Sequence, residues 1–151
     1  METDLEIMIP DDYIRNIEER LSIYRDLDNT KNEEELDDIK EQLIDRFGEI
    51  PKPTQDLFNA IRLRWLAKNI GFEKLVLKQQ KLIGYFIANQ ESPYYQSDRF
   101  SKVLSFIQQH PTACKMKERN EKLTLVFENV NGVLNAIELL TPIGEQKSVM
   151  S

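Results

Sequence analysis

Apolar residues in the first half of the chain recur at spacings of three and four, the period of an amphipathic helix. Pro10 followed by two aspartates is typical of a helix start, and we predict a first helix from there to about Asp28. Its predicted buried stripe consists of Tyr13, Ile14, Ile17, Leu21 and Tyr24. Before this helix, residues 4–9 alternate between polar and apolar, which predicts a short strand without an obvious pairing partner.

A second helix is marked at both ends. Asn32 is a good N-cap with Glu35 in the capping-box position, and Gly48 supplies the left-handed residue that ends a helix. Its predicted buried stripe consists of Leu36, Ile39, Leu43, Ile44 and Phe47. A third helix follows two prolines and ends at Gly71. Its predicted apolar stripe consists of Leu57, Phe58, Ile61, Trp65, Leu66 and Ile70.

After Gly71 the hydrophobic period changes to two, which predicts strands. We predict a hairpin over 74–87, a loop over 89–97, a helix ended by His110 before Pro111, two strands over 114–127 and a last helix over 132–140. This order predicts an α+β fold, with three helices in the N-terminal half followed by ββαββα and a small, mostly antiparallel sheet. We predict a single domain over 7–141, an incomplete strand at 1–6 and a flexible tail at 142–151.

The composition fits one soluble globular domain, with 151 residues of which 40% are hydrophobic and 30% charged. No apolar run reaches the ~20 residues that a membrane span requires. The single cysteine, Cys114, provides no disulfide framework and is consistent with a reducing compartment. We therefore expect a cytoplasmic protein without a membrane partner.

The net charge of −6 is unevenly distributed along the chain. Residues 1–50 carry 6 basic and 17 acidic side chains, and residues 51–81 carry 7 basic and 2 acidic ones. Residues 82–151 carry 7 of each sign. This asymmetry indicates an electrostatically patterned surface that meets a partner.

Catalytic motifs are scarce in this sequence. No two of the five glycines lie close enough to form a phosphate loop, a dinucleotide fingerprint or a glycine-flanked serine nucleophile, so we expect no cofactor. His110 and Cys114 are the strongest metal or nucleophile candidates, but zinc needs further ligands. An acidic hydrolase would use the carboxylates that begin the second helix, whose ordinary interpretation is a solvated helix start.

Two groups of polar side chains remain as candidate binding sites. Arg62, Arg64 and Lys68 surround Trp65 and could bind nucleic acid, although the acidic first segment would repel phosphates. Gln42, Asp45 and Arg46 share a face of the second helix. That face is either a solvated helix end or an interface whose aspartate and arginine pair with charges on another domain.

A series of motifs in the first half resembles the C-terminal domain of bacterial transcription-repair coupling factors. It comprises Ile9-Pro10-Asp11-Asp12-Tyr13-Ile14, then Arg20-Leu21 and Tyr24, then Leu43-Ile44-Asp45-Arg46-Phe47-Gly48 followed by Pro51 and Pro53. The likeness is specific over residues 7–71 and general over 72–141.

The resemblance implies a non-catalytic regulatory domain of an ATP-driven DNA translocase that displaces stalled RNA polymerase. In that family the domain is a clasp on a UvrB-like N-terminal module, where it masks UvrA recruitment and restrains the translocase in nucleotide-excision repair. The implied contacts fall on Gln42, Asp45 and Arg46. Gln42 departs from the glutamate that is common in the family, which removes one charge-assisted contact. The alternative function is a nucleic-acid-binding accessory domain that uses Arg62, Arg64 and Lys68.

Overall fold

The structure is a computed structural model that describes residues 1–144 and contains five α-helices and five β-strands in that range. The helices are α1 (Ile17–Asp28), α2 (Glu33–Phe47), α3 (Lys52–Ile70), α4 (Asp98–Gln109) and α5 (Val133–Gly144). The strands are β1 (Glu2–Thr3), β2 (Phe72–Lys78), β3 (Lys81–Phe86), β4 (Lys115–Arg119) and β5 (Lys122–Phe127). The α5 helix continues past its predicted end at residue 140, and the part of the predicted tail from 145 onward lies outside the described residues.

The described chain divides into two compact units. One is the helical unit, Glu6–Arg62, and the other is the sheet unit, which combines Met1–Leu5 with the described residues from Leu63 onward. The prediction of a single domain over 7–141 stays a prediction.

The sheet unit contains one mixed sheet with the strand order β1-β2-β3-β5-β4. Only β1 pairs in parallel, with β2, and the other three pairings are antiparallel. Leucine and phenylalanine side chains from β2, β3 and β5 are buried on one face. The predicted α+β class and the mostly antiparallel sheet are confirmed.

The N-terminal strand and the start of the first helix differ from the prediction. Residues 4–9 form no strand, because their backbone amides find other partners: the amide of Met8 donates to the Pro53 carbonyl at 3.3 Å, and that of Ile9 to the Tyr24 hydroxyl at 2.7 Å. The α1 helix begins only at Ile17, where the Asn16 side chain accepts the Glu19 amide. Carboxylates after a proline therefore marked an isolated turn and not the helix start.

The predicted apolar stripe of α1 is partly exposed. Ile17 and Leu21 are 60% and 51% exposed, whereas Ile23 and Leu27 are buried. The side of α1 that is buried in the helical unit is therefore the one that carries Ile23 and Leu27.

The two other predicted stripes are buried only in part. On α2, Leu36 and Leu43 are buried, but Ile44 is 46% exposed. On α3, Leu63 is fully buried and Trp65 is only half-buried, so leucine and not tryptophan occupies the core position.

Aromatic packing in the sheet unit fixes the segment before α4. The Tyr94 hydroxyl donates to the Ile70 carbonyl at 2.5 Å, and burial raises the pKa of Tyr94 to about 12. Its ring contacts Phe86 and Phe100, with centroids 6.2 Å and 5.5 Å away. Part of the predicted loop is a short 3-10 helix, Pro93–Gln96, which this packing holds in place.

Candidate interdomain interface

The end of α2 presents the three predicted contact residues to solvent. Gln42, Asp45 and Arg46 are all exposed; Asp45 lies opposite the buried Leu43, and Gln42 and Arg46 lie together on one flank of the helix. The helix itself forms as the sequence predicts, because the Asn32 side chain accepts the Glu35 amide at 2.9 Å and Gly48 ends the helix with φ of 88°. The Glu35 carboxylate accepts the amide of Lys31, one residue before the expected capping-box donor.

Tyr13 fastens the C-terminal turn of α2. Its hydroxyl donates to the carbonyls of Gly48 at 2.9 Å and Leu43 at 3.3 Å, so it bridges the last turn of the helix and the glycine that ends it. Its ring lies against Phe47 with centroids 5.8 Å apart, and burial raises its pKa. The turn that carries Asp45 and Arg46 is therefore held by hydrogen bonds to its backbone and by the packing of the Tyr13 ring on Phe47.

Arg46 is already engaged within the helical unit. Its guanidinium lies 3.3 Å from the Glu19 carboxylate and 4.7 Å from the centroid of the Phe47 ring. Both partners of the ion pair remain about half exposed, which keeps its contribution to stability at about 0–1 kcal/mol. Sequence reasoning did not find Glu19 as a partner, since nothing in the spacing places α1 beside this flank of α2.

Asp45 and Gln42 differ from Arg46 in having unused hydrogen-bonding groups. Within residues 1–144 neither side chain makes a hydrogen bond or an ion pair. The three residues therefore present a carboxylate, an amide and a guanidinium from a single helix face. Such a set recognises a surface that carries basic and acidic groups together.

The second predicted group, on α3, is arranged differently. The Arg62 guanidinium binds both carboxylate oxygens of Glu33, at 2.6 Å and 3.0 Å, and the Asn59 side chain at 2.7 Å. Arg64 and Lys68 are exposed and four residues apart on the helix. Arg62 therefore has its donors occupied inside the helical unit.

His110 and Cys114 adopt structural positions. His110 caps α4 and its ring stacks on Phe106 with centroids 4.3 Å apart. Cys114 is buried, and burial raises the pKa of its thiol, which disfavours the thiolate that a nucleophile requires. Across residues 1–144 the structure contains no cluster of three or more histidine, cysteine or carboxylate side chains that could hold a metal ion. None of the helices in that range combines the length and apolar character needed to cross a bilayer.

With the fold and the fastened end of α2 in place, comparisons with known proteins identify the family. Residues 3–97 match the family model described as the TRCF domain. The chain therefore belongs to the TRCF domain family, and it corresponds to a domain of transcription-repair coupling factors.

Curated relatives agree with this assignment. The transcription-repair-coupling factor of Escherichia coli strain K12 is 44% identical over 68 residues, which is 45% of this chain and 6% of that protein. The factor of Buchnera aphidicola is 31% identical over 136 residues, or 89% of this chain and 16% of that protein. The factor of Haemophilus influenzae is 32% identical over 104 residues, or 69% of this chain and 9% of that protein. The chain thus spans only a small part of the length of these relatives.

A solved structure supports the same fold. A crystal structure of the C-terminal domain of a transcription-repair coupling factor superposes with a TM-score of 0.72 at 21% identity, covering 97% of this chain and 95% of that one. The order of helices and strands therefore corresponds to that of the C-terminal domain in such factors.

Proposed function

We propose that this chain is a non-catalytic, cytoplasmic regulatory domain and acts as an autoinhibitory clasp on the UvrB-like N-terminal module of its coupling factor. In this role it covers the surface that recruits UvrA and restrains the ATP-driven movement of the factor on DNA. Engagement with stalled RNA polymerase releases it. The observation that carries the proposal is the exposed Asp45 and Arg46 on a helix end that Tyr13 fastens.

The ion pair between Arg46 and Glu19 suits a contact that is made and released. An exposed pair contributes little, so exchanging Glu19 for a carboxylate of the partner costs the domain about 0–1 kcal/mol. Asp45 has no such partner to lose within the described residues, and it is free to accept from an arginine of the module.

The test is the double substitution Asp45→Ala with Arg46→Ala in a full-length coupling factor that carries this domain. We expect basal ATPase activity and UvrA binding to rise, because two charge-assisted contacts of the clasp are removed. The matched control is Asp37→Ala with Lys40→Ala, which removes one acid and one base from exposed positions earlier on the same helix. Unchanged ATPase activity and UvrA binding in a folded double variant would exclude the clasp.

The predicted nucleic-acid patch of Arg62, Arg64 and Lys68 stays a prediction. Binding through Arg62 would require a phosphate to displace the two-point contact with Glu33. No observation at these residues favours that exchange.

A further inference from the structure

The outer face of the sheet, opposite the buried leucines, carries a concentration of basic side chains. Side chains alternate between the two faces along a strand. The immediate strand neighbours of the buried Leu75, Leu77 and Leu82 therefore lie on this outer face. At the β2–β3 end the basic residues are Lys74, Lys78 and Lys81, and at the β4–β5 end they are Lys115, Lys117, Arg119 and Lys122.

Strand register aligns these residues with an aromatic ring. Lys74 pairs with Tyr85, Tyr85 with Thr124, and Thr124 with Lys117, so that one row crosses four strands. At the usual strand separation this row is about 14 Å long. Tyr85 lies at its centre, half-buried, with the Lys74 ammonium 5.5 Å from its ring centroid.

The positive charge of the outer face is only partly neutralised. Glu2 binds Lys74 at 2.9 Å and Lys78 at 3.5 Å, and Glu128 lies 3.8 Å from Lys81. The four basic residues of β4 and β5 are exposed and make no ion pair among the residues that the structure describes. The positive surface is therefore strongest at the β4–β5 end.

The two units differ in net charge. The helical unit carries 8 basic and 16 acidic residues, and the described part of the sheet unit carries 11 basic and 9 acidic ones. The acidic composition of the whole chain thus conceals a basic surface on the sheet. A polyanion would meet repulsion at the helical unit and attraction at the outer face.

We propose that the outer face of the sheet binds single-stranded nucleic acid. Lys115, Lys117, Arg119 and Lys122 hold phosphates, and the Tyr85 ring stacks on an unpaired base in place of its contact with Lys74, which keeps its ion pair with Glu2. Positive charge alone would bind any polyanion. An aromatic ring in the middle of a sheet face favours a single strand, because the bases of a duplex are stacked on one another and cannot stack on the ring. This site is separate from the proposed clasp and uses none of its residues.

The test is fluorescence anisotropy of a labelled oligo-dT of about 15 nucleotides, titrated with the 151-residue chain. Four neutralised phosphates predict that affinity falls about 50-fold between about 50 and about 200 mM salt. Lys115→Glu with Lys117→Glu should weaken binding at least about tenfold, and Tyr85→Leu about fivefold or more.

The matched control is Lys31→Glu with Lys40→Glu, which changes the net charge equally at two exposed positions of the helical unit. Circular dichroism checks that each variant is folded, and chemical-shift mapping of the unaltered chain locates the site without any substitution. Perturbed amides on β3, β4 and β5 would support the proposal. Absence of binding at about 50 mM salt, or equal weakening by the control pair, would overturn the proposal. The lysines would then serve to protect the exposed edge strand β4 from pairing with other chains.

A polyglutamate competitor separates nucleic acid from acidic protein partners. We expect it to displace the oligonucleotide weakly, because it offers charge without bases. Equal affinity for polyglutamate, together with no effect of Tyr85→Leu on oligonucleotide binding, would contradict the nucleic-acid assignment and indicate an acidic peptide site.

Discussion

Gly71 shows how a single residue joins the end of α3 to the aromatic packing of the sheet unit. Its φ of +110° is a conformation that other residues rarely adopt. A Cβ atom at this position would lie 2.1 Å from the Cε1 atom of Tyr94. That ring has little freedom to move, because it is buried and its hydroxyl is bonded to Ile70.

We predict that Gly71→Ala lowers the free energy of unfolding by about 2–4 kcal/mol, since it combines backbone strain with displacement of a buried ring. Urea denaturation measures the loss. A double-mutant cycle with Tyr94→Leu separates the backbone strain from the displacement of the ring. In the Tyr94→Leu background the ring is absent, and the cost of Gly71→Ala should fall by about 1–2 kcal/mol. An unchanged cost would show that the ring contact contributes nothing.

Sequence reasoning succeeded for elements whose ends are chemically marked. Asn32 and Gly48 bracket α2 as predicted, and His110 before Pro111 ends α4. It failed for α1, where a proline and two carboxylates suggested a start seven residues too early and spacing alone suggested the buried side. Local chemistry fixes a cap within a few residues, whereas the buried side of a helix depends on which other element covers it.

The orientation of α1 gives a prediction at the scale of the element. Leu21→Ala should change the free energy of unfolding by less than about 0.5 kcal/mol, because half of that side chain is exposed. Leu27→Ala should cost about 2–5 kcal/mol, because Leu27 is 1% exposed in the core of the helical unit. Urea denaturation followed by far-ultraviolet circular dichroism compares the two variants. A larger loss from Leu21→Ala would mean that α1 buries the side that the spacing first indicated.

At the scale of the whole molecule, the sequence predicted the net charge of each segment but not how the charges are distributed over the folded surface. Counting residues located the acidic excess in the first third of the chain, where the helical unit later proved to lie. The basic outer face could not be found in this way, because its lysines come from four strands that the register alone brings together. The choice of Gln42, Asp45 and Arg46 as proposed interface residues rested on a shared helix face and on a resemblance. Glu19, the partner of Arg46, emerged only from the packing of α1 beside α2.

Gln42 provides a prediction for the assembled coupling factor that rests on the proposed clasp. A neutral amide donates or accepts one ordinary hydrogen bond, whereas a glutamate at this exposed position would add a charge-assisted contact to an arginine of the UvrB-like module. Gln42→Glu should therefore tighten binding of this domain to the separate module about fivefold to tenfold, as measured by isothermal titration calorimetry at low salt.

The matched control for Gln42→Glu is Gln109→Glu, which adds the same charge at an exposed position on α4. If the clasp forms through the face that contains Gln42, the control leaves the affinity unchanged, and the gain from Gln42→Glu diminishes as salt screens the new charge. Equal gains from both variants would attribute the effect to net charge and not to a contact at Gln42. Weaker binding of Gln42→Glu would indicate that an acidic group of the module faces this position, which would reverse the charge pattern assumed for the interface.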